Sequence, residues 1–137
     1  MRVLLVSMNA SYRMGGEAVL PLHWLRELRA AGVEADLLTH QRGETEHQTL
    51  GLDPSHFHYI DNTLAERKIS RAVRNFPKAL KDLILLPLEL VTYWRLAKRT
   101  KKLVQEKKVD LVHQVIPVSP RSLSFLGDVG ALVVIGP

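Results

Sequence analysis

A polar loop with two adjacent glycines, residues 9–16, follows the first apolar run of the chain. Gly15 and Gly16 lack a Cβ atom, so the backbone there can adopt positive φ and a ligand can approach closely. A helix that begins just after them would offer free N–H groups to a phosphate or a carboxylate. Gly-Gly-Glu is not the Gly-x-Gly-x-x-Gly dinucleotide fingerprint. The sequence therefore predicts either an anion-facing loop or a plain connection.

The histidines are the second set of candidates for chemistry. His113 lies in the fourth apolar run, and a neutral imidazole both donates and accepts hydrogen bonds. On an apolar strand it is either a hydrogen-bonded structural residue or a ligand contact, and both interpretations stay open. The other histidines show no metal-ligand spacing. His56 and His58 share one side of a strand without a third ligand, so we expect surface positions for both and no metal site.

Basic residues concentrate in the second half of the chain. Residues 1–63 contain five arginines against eight acidic residues, whereas residues 64–137 contain fourteen basic residues against six acidic ones. Such a charge run is either a solvated helix face or a patch that attracts anionic lipid or a phosphorylated acceptor. Too few aromatic residues accompany the charges for nucleic acid to be expected as a partner. The predicted patch comprises Arg67, Lys68, Arg71, Arg74, Lys98, Arg99, Lys101 and Lys102.

Five short apolar runs indicate the strands that must position these residues. Strands are predicted over residues 3–6, 33–40, 57–60, 109–116 and 131–135. The consecutive apolar residues of the first run are typical of a strand buried on both faces. Strands alternating with helices predict an α/β fold, a Rossmann-like parallel sheet flanked by helices with strand order 3-2-1-4-5, in a single domain over residues 1–137. The loop 9–16 and the end of the fourth strand, 113–117, would meet at the switch point.

Helices are predicted between the glycine loop and residue 32, around residues 44–50, and over residues 63–76, 78–108 and 119–127. In the first of these, either Pro21 lies in the first turn or the helix bends there. Thr63 and Glu66 match a capping box at the start of the third. Pro87 is expected to kink the fourth, which carries too many charges to span a membrane.

Composition excludes several classes of protein. The 137 residues are 46% hydrophobic and 24% charged, which is ordinary for a soluble globular domain. There is no cysteine, so neither a disulfide framework nor a thiolate metal site is expected. The apolar run after Arg2 is too short for a signal peptide, and we therefore expect a cytoplasmic location.

The order and spacing of these segments resemble the amino-terminal domain of group-1 glycosyltransferases over essentially the whole chain. The resemblance rests on a strand followed by Gly-Gly-Glu17 and a leucine-rich helix, on Gly-Val-Glu-Ala-Asp-Leu-Leu-Thr39, on Val-Asp-Leu-Val-His113 and on the final Val-Val-Ile-Gly-Pro137. It implies one half of a two-domain retaining enzyme of the GT-B fold. Such enzymes move a sugar from a nucleotide-sugar to an acceptor without a metal or other cofactor.

The resemblance also implies roles for individual residues. This chain would be the acceptor-side domain, inactive alone because the nucleotide-sugar-binding second domain is absent from it. The acceptor would be a glycan or a lipid-linked sugar at the inner face of a membrane. Gly15 and Gly16 match the loop that faces the donor diphosphate, and His113 is the catalytic candidate, with Val115 where many members have a second histidine. Acceptor contacts are implied for Asn9, Arg13, Glu17, His113 and Ser119.

A second hypothesis keeps the fold but not the chemistry. The chain would be a non-catalytic α/β module that binds an anionic membrane surface or a protein partner through the basic segment 67–108. Self-association is also left open, through the surface that a second domain would cover, and an exposed apolar patch there would favour it. A reading frame that continues into a second Rossmann-like half would favour the enzyme.

Overall fold

Five short strands form the centre of the protein, whose computed structural model describes residues 1–115 and 126–136. The strands are β1 (Arg2–Val6), β2 (Glu34–His40), β3 (Phe57–Ile60), β4 (Leu111–Gln114) and β5 (Leu132–Ile135). All four pairings are parallel, and the order across the sheet is β3-β2-β1-β4-β5. The predicted α/β fold and strand order are therefore confirmed.

The helices of the described residues are α1 (Leu20–Ala30), the single turn α2 (Glu44–His47), α3 (Leu64–Ala72) and α4 (Lys78–Lys107). Pro21 lies in the first turn of α1, where its missing N–H has no intrahelical partner to lose. The predicted capping box of Thr63 and Glu66 is present at the start of α3. The helix predicted over residues 119–127 lies almost entirely outside the described residues.

Several predicted boundaries are wrong by one to four residues. β4 begins at Leu111 rather than at 109, because the Val109 N–H closes α4 by donating to the Val104 carbonyl at 3.1 Å, with Lys108 at φ 51°. This is the usual left-handed ending of a helix. The chain likewise leaves α1 through Gly32, which has a left-handed backbone (φ 78°). β2 therefore begins at 34 rather than at 33. α3 stops at 72 instead of 76, since the next residues form single turns before a proline that disfavours helix.

The central strand β1 is buried on both faces, as its sequence predicts. Val3 and Leu5 pack towards α1, whereas Leu4 and Val6 pack towards α4 on the opposite face. Each fully buried leucine contributes about 1.5–3 kcal/mol to stability. The sheet therefore has one helix layer on each side, and the layer formed by α4 borders the site described below.

Only the second half of α4 is anchored in the core. Its buried residues are Leu96, Thr100, Leu103 and Val104. The first half, from 78 to 94, projects past the carboxyl ends of the strands, and the helix continues through Pro87 without a break. Within the described ranges, no helix is long and apolar enough to cross a membrane, as the interrupting charges predict.

Candidate functional site

A cleft of about 400 Å³ lies where β1, β2 and β3 end. Its floor consists of residues that follow these strands: Asn9 after β1, Arg42 after β2 and Asn62 after β3. Open parallel sheets bind ligands at the carboxyl ends of their strands. We therefore take this cleft as the candidate functional site. The walls from α3 and α4 contribute Glu66, Ser70, Leu85, Leu88, Glu89, Thr92 and Tyr93.

His40, the last residue of β2, fixes the direction of the hydrogen bonds on the floor. The backbone N–H of Arg42 donates to His40 Nδ1 at 3.1 Å, so this nitrogen carries the lone pair. The proton of the neutral ring then lies on Nε2, which donates to Asn62 Oδ1 at 3.0 Å. The amide of Asn62 is thereby oriented, with its oxygen engaged by His40.

Arg42 separates this cleft from a smaller one of about 250 Å³. Its guanidinium donates to Asn9 Oδ1. No carboxylate of the described residues lies within ion-pair distance of it. Although part of the side chain is exposed, burial lowers the pKa of Arg42 from its ordinary value, and the nearby Tyr93 partly opposes this effect. An arginine remains charged even so, so Arg42 brings a positive charge to both clefts.

Glu66 is the buried acid of the cleft wall, with only 4% of the residue exposed. Its carboxylate accepts hydrogen bonds from the Thr63 backbone N–H, from the Thr92 hydroxyl at 2.9 Å and from Arg95 at 3.1 Å. Burial alone would raise the pKa of Glu66, but the hydrogen bonds and the charge of Arg95 lower it overall. Glu66 is therefore an ionised carboxylate that links α3 to α4 by hydrogen bonds, and not a general acid.

The predicted glycine loop packs against α2. Ser11 Oγ donates to the Glu46 carboxylate at 2.5 Å, and the Tyr12 N–H donates to the same group at 2.8 Å. The N–H groups of Arg13 and Met14 donate to Ser11 Oγ at 3.1 and 3.2 Å. The sequence predicts that this loop meets the end of β4, and Ala10 and Val115 do belong to the same core cluster. Its described side-chain hydrogen bonds join it to α2, on the side where Asn9, Arg13 and Met14 line the smaller cleft.

Gly15 and Gly16 have the positive φ angles that the sequence predicts, 64° and 55°. Both are exposed, and a 3-10 turn (Gly16–Val19) separates them from α1. Glu17 is exposed on this turn. The diphosphate-facing role of the two glycines and the acceptor-binding roles of Asn9, Arg13 and Glu17 stay predictions. Ser119 lies outside the described residues.

His113 is held by neighbouring groups in β4. Its Nε2–H donates to the Gly136 carbonyl at 2.7 Å, and its ring packs edge-on against Trp24 with 5.1 Å between ring centres. The residue is 8% exposed and lines neither of the two clefts. These contacts supply a structural role for His113, and its catalytic role stays a prediction.

The predicted basic patch is divided between α3 with the turn that follows it and the second half of α4. Arg67 pairs with Asp61, and Lys102 lies 3.5 Å from Glu106. Lys98 Nζ lies 4.9 Å from the centre of the Trp94 ring. Lys68, Arg71, Arg74 and Lys101 are exposed and Arg99 is half-buried. Part of the positive charge is thus already balanced by neighbouring acids.

The first half of α4 has two different faces. The inner face lines the cleft, whereas the outer face exposes large apolar side chains, with Leu83 68% and Trp94 60% exposed. At 100° per residue, Asp82 and Glu89 fall on the inner half of the helix. The outer face is therefore apolar and free of acidic side chains, and its lysines follow at its carboxyl end. Its other exposed apolar residues are Leu80, Leu86, Leu90 and Val91.

His56 and His58 are not independent surface residues, contrary to the prediction. Their ring nitrogens lie 3.0 and 3.1 Å from the two oxygens of Asp36, and Lys107 Nζ lies 2.6 Å from the second. Burial alone would raise the pKa of Asp36, but these partners hold it well below its usual range. The cluster ties the end of α4 to β2 and β3. Across residues 1–115 and 126–136, no set of side chains could hold a metal ion.

The sequence predictions missed most of the cleft. His40, Arg42 and Asn62 were not predicted as site residues, and Glu66 was predicted only as a helix cap. A signal was present in the sequence, because each of the first three lies at or directly after the end of a predicted strand. Comparison of the chain with protein-family models, with curated proteins and with solved structures finds no match. The inference of function therefore starts from the site itself.

Proposed function

We propose that this chain is the amino-terminal, acceptor-binding domain of a glycosyltransferase that moves a sugar from a nucleotide-sugar to a glycan or lipid-linked acceptor. The observation that carries the proposal is the cleft at the ends of β1, β2 and β3. Its floor offers amide and guanidinium groups, and its wall offers carboxylate and hydroxyl groups. Such convergent polar groups suit the many hydroxyls of a carbohydrate.

In this proposal the nucleotide-sugar is a co-substrate, and a second Rossmann-like domain of the GT-B fold binds its nucleotide. The strand order of the sheet is consistent with one half of that fold. Gly15 and Gly16 would face the donor diphosphate across the opening between the domains. A leaving diphosphate needs fixed hydrogen-bond donors where its charge develops, and backbone N–H groups supply them.

Carbohydrate binding can be tested directly on residues 1–137. Saturation-transfer NMR with methyl glycosides of glucose, galactose and N-acetylglucosamine should show transfer to at least one sugar, with amide shifts at Asn9, Arg42 and Asn62. Asn62→Ala should weaken that binding about tenfold, since one good hydrogen bond is worth about 1.4 kcal/mol. Asn75→Ala is the matched control, because Asn75 is exposed and outside the cleft. No transfer, or equal effects of the two variants, would refute the proposed acceptor site.

The transfer reaction needs the longest polypeptide that the reading frame encodes. Mixed with nucleotide-sugars and a glycan that binds the cleft, it should release free nucleotide, whereas residues 1–137 alone should not. Gly16→Val should abolish the release, because φ 55° strains a β-branched residue and the loop would move. Release that survives this substitution would refute the role of the loop. Release by residues 1–137 alone would refute the need for a second domain.

The outer face of α4 favours a second candidate function, binding of the domain to the inner, anionic face of a membrane. An apolar helix face with a tryptophan and nearby lysines is the pattern of helices that lie in a bilayer interface. This surface comprises the exposed apolar residues of α4 and the lysines Lys98 and Lys101, which lie beside Trp94. It is compatible with a lipid-linked acceptor and equally with a non-catalytic module.

Sedimentation with vesicles tests the membrane proposal. Binding should be strong to vesicles containing phosphatidylglycerol, weak to phosphatidylcholine alone, and reduced by salt, because surface charges are screened over about 8 Å at physiological ionic strength. Leu83→Glu should abolish binding. Leu64→Glu should not, since Leu64 is equally exposed but lies on α3, outside the apolar face. The proposal would be refuted if binding did not depend on the charge of the lipid. It would also be refuted if the two variants reduced binding equally.

A further inference from the structure

Among the described residues, the two side-chain amides of the cleft floor use their oxygen atoms as hydrogen-bond acceptors, whereas their NH2 groups make no hydrogen bond. Asn62 Oδ1 accepts from His40 Nε2–H, and Asn9 Oδ1 accepts from Arg42. In both amides the oxygen accepts a hydrogen bond from the protein, so the NH2 group remains available to donate to a ligand. Neither NH2 group donates to another residue of the described structure, and no buried side-chain atom there lacks a partner. The two NH2 groups are therefore accessible from the cleft.

Arg42 lies between these two amides in the network. One of its terminal nitrogens donates to Asn9, and its backbone N–H donates to His40. A guanidinium has five N–H donors, so most of them stay unused. No carboxylate of the described residues pairs with Arg42, so none of them balances its charge by direct contact. Arg42 is partly exposed to solvent, so its unused N–H groups can be reached by a ligand in the cleft.

The two acids of the cleft do not cancel this charge. The carboxylate of Glu66 already accepts hydrogen bonds from Arg95 and from two threonines. Glu89 also lines the cleft, and Tyr93 lies within electrostatic reach of both Glu89 and Arg42. The cleft thus has a negative group, Glu89, on its α4 wall and a positive group, Arg42, on its floor. A ligand that matches both ends carries an anionic group near Arg42 and hydroxyl groups towards Glu89.

We propose that the cleft selects a hydroxylated ligand with an oxyanion, a carboxylate or a phosphate, which binds Arg42 and the NH2 groups of Asn9 and Asn62. This inference deepens the proposed function, on which it rests, by naming the chemical class of the acceptor. Charge-assisted hydrogen bonds are shorter and about twice as strong as neutral ones. The oxyanion therefore dominates recognition, and the Glu89 end selects for hydroxyls.

Five small probes separate the sources of the oxyanion. Glucuronate and glucose 6-phosphate represent sugar acids, glycerol 1-phosphate represents a lipid headgroup, and inorganic phosphate and glucose supply only one feature each. Binding to residues 1–137 is measured by amide shifts at matched ionic strength. We expect glucuronate or glucose 6-phosphate to bind at least tenfold more tightly than glucose, a difference of about 1.4 kcal/mol. If glycerol 1-phosphate binds as tightly as the sugar acids do, the oxyanion proposal is supported and the oxyanion is assigned to a lipid headgroup.

Two substitutions test the donors, with one matched control. Arg42→Gln should reduce binding of the anionic probes at least tenfold and leave glucose unchanged. Asn62→Asp keeps an oxygen for His40 Nε2–H and replaces the free NH2 by a negative oxygen, so it should reduce anion binding without disturbing the network. Arg26→Gln removes an equal charge from an exposed position of α1, outside both clefts and outside the predicted basic patch, and should have no effect. Similar thermal midpoints confirm that each variant folds.

The outcomes distinguish this inference from the proposed function. If the neutral glycosides bind the cleft as tightly as the anionic probes, and Arg42→Gln changes neither, the oxyanion proposal is refuted and the carbohydrate site survives. If phosphate and glycerol 1-phosphate bind in an Arg42-dependent way but no sugar binds, the oxyanion site stands and the glycosyltransferase proposal fails. Absence of binding by all probes would overturn both.

Discussion

Replacing Glu66 tests whether a single buried carboxylate holds the wall of the cleft. Glu66→Ala removes the acceptor of the Thr63 N–H, of the Thr92 hydroxyl and of Arg95 in one step. Glu66→Gln keeps the shape and one carbonyl oxygen, but its NH2 group must face another donor. Both variants separate α3 from α4 at the point where the two helices border the cleft.

The expected loss in the free energy of unfolding depends on the hydrogen-bond partners that Arg95 keeps when Glu66 is replaced. Breaking a buried ion pair by removing one member costs about 3–5 kcal/mol. Arg95 is 29% exposed and still donates to the Asp61 carbonyl at 2.7 Å, so we expect the lower end of this range. The free energy of unfolding should fall by about 3 kcal/mol in Glu66→Ala and by about 2 kcal/mol in Glu66→Gln. For a chain of this length 1 kcal/mol lowers Tm by about 3.5 °C, which gives losses of about 10 and 7 °C.

Thermal unfolding followed by circular dichroism at several pH values is the assay. The pKa of Glu66 is lowered in the folded state, so its stabilising contribution is complete above the unfolded value of about 4.3 and is lost as the pH falls below it. The difference between Glu66→Gln and the parent protein should therefore shrink between pH 5 and pH 3. Glu89→Gln, a control in the same cleft, should stay within about 0.5 kcal/mol of the parent. Equal stability at pH 7, or a difference that grows on acidification, would refute the reasoning.

The remaining predictions concern residues that support the site from a distance. Asp36→Asn should destabilise the protein by about 2–3 kcal/mol at pH 7, and by less below pH 4, because the pKa of Asp36 is lowered in the folded state; urea titrations that give the same difference at both pH values would contradict this. Gly43→Ala brings a Cβ to 2.8 Å from the His47 ring and should cost about 1–3 kcal/mol, which an unchanged urea midpoint would disprove. His113→Gln keeps an N–H donor for the Gly136 carbonyl, so its free energy of unfolding should stay within about 1 kcal/mol of the parent in thermal unfolding; a larger loss would show that this hydrogen bond is not the main structural contribution of His113.

The sequence predicts the sheet well because its strands depend on local composition. A strand buried on both faces needs a continuous apolar run, and β1 has such a run where it was predicted. The short strand β3 also has its predicted bounds. The capping box of α3 is equally local, since Thr63 and Glu66 are three residues apart. The boundary errors occur where a helix ending uses the first residue of an expected strand. Val109 is the clearest case, because its N–H closes α4 instead of joining the sheet.

The site is harder to predict because its contacts join distant parts of the chain. Lys107 and Asp36 are separated by 71 residues, and Arg95 and Glu66 by 29. The sequence shows that each residue is charged but not which charges meet, so the histidines beside Asp36 were assigned to the surface. Arg42 illustrates the same limit. Its importance comes from the absence of a carboxylate partner in the described structure, and a sequence pattern does not reveal such an absence.

The two faces of α4 link the oxyanion site to the proposed membrane surface. If the outer face lies on an anionic bilayer, the cleft on the inner face is about one helix diameter, roughly 10 Å, from the headgroups. A lipid-borne oxyanion could then reach Arg42 only if it extends past the helix, as a sugar phosphate on a lipid does and a simple phospholipid headgroup does not. Vesicles of phosphatidylglycerol should therefore bind the domain without displacing glucose 6-phosphate from the cleft. Competition between the vesicles and glucose 6-phosphate would mean that Arg42 is part of the membrane-binding surface. The assignment of separate functions to the two faces of α4 would then be refuted.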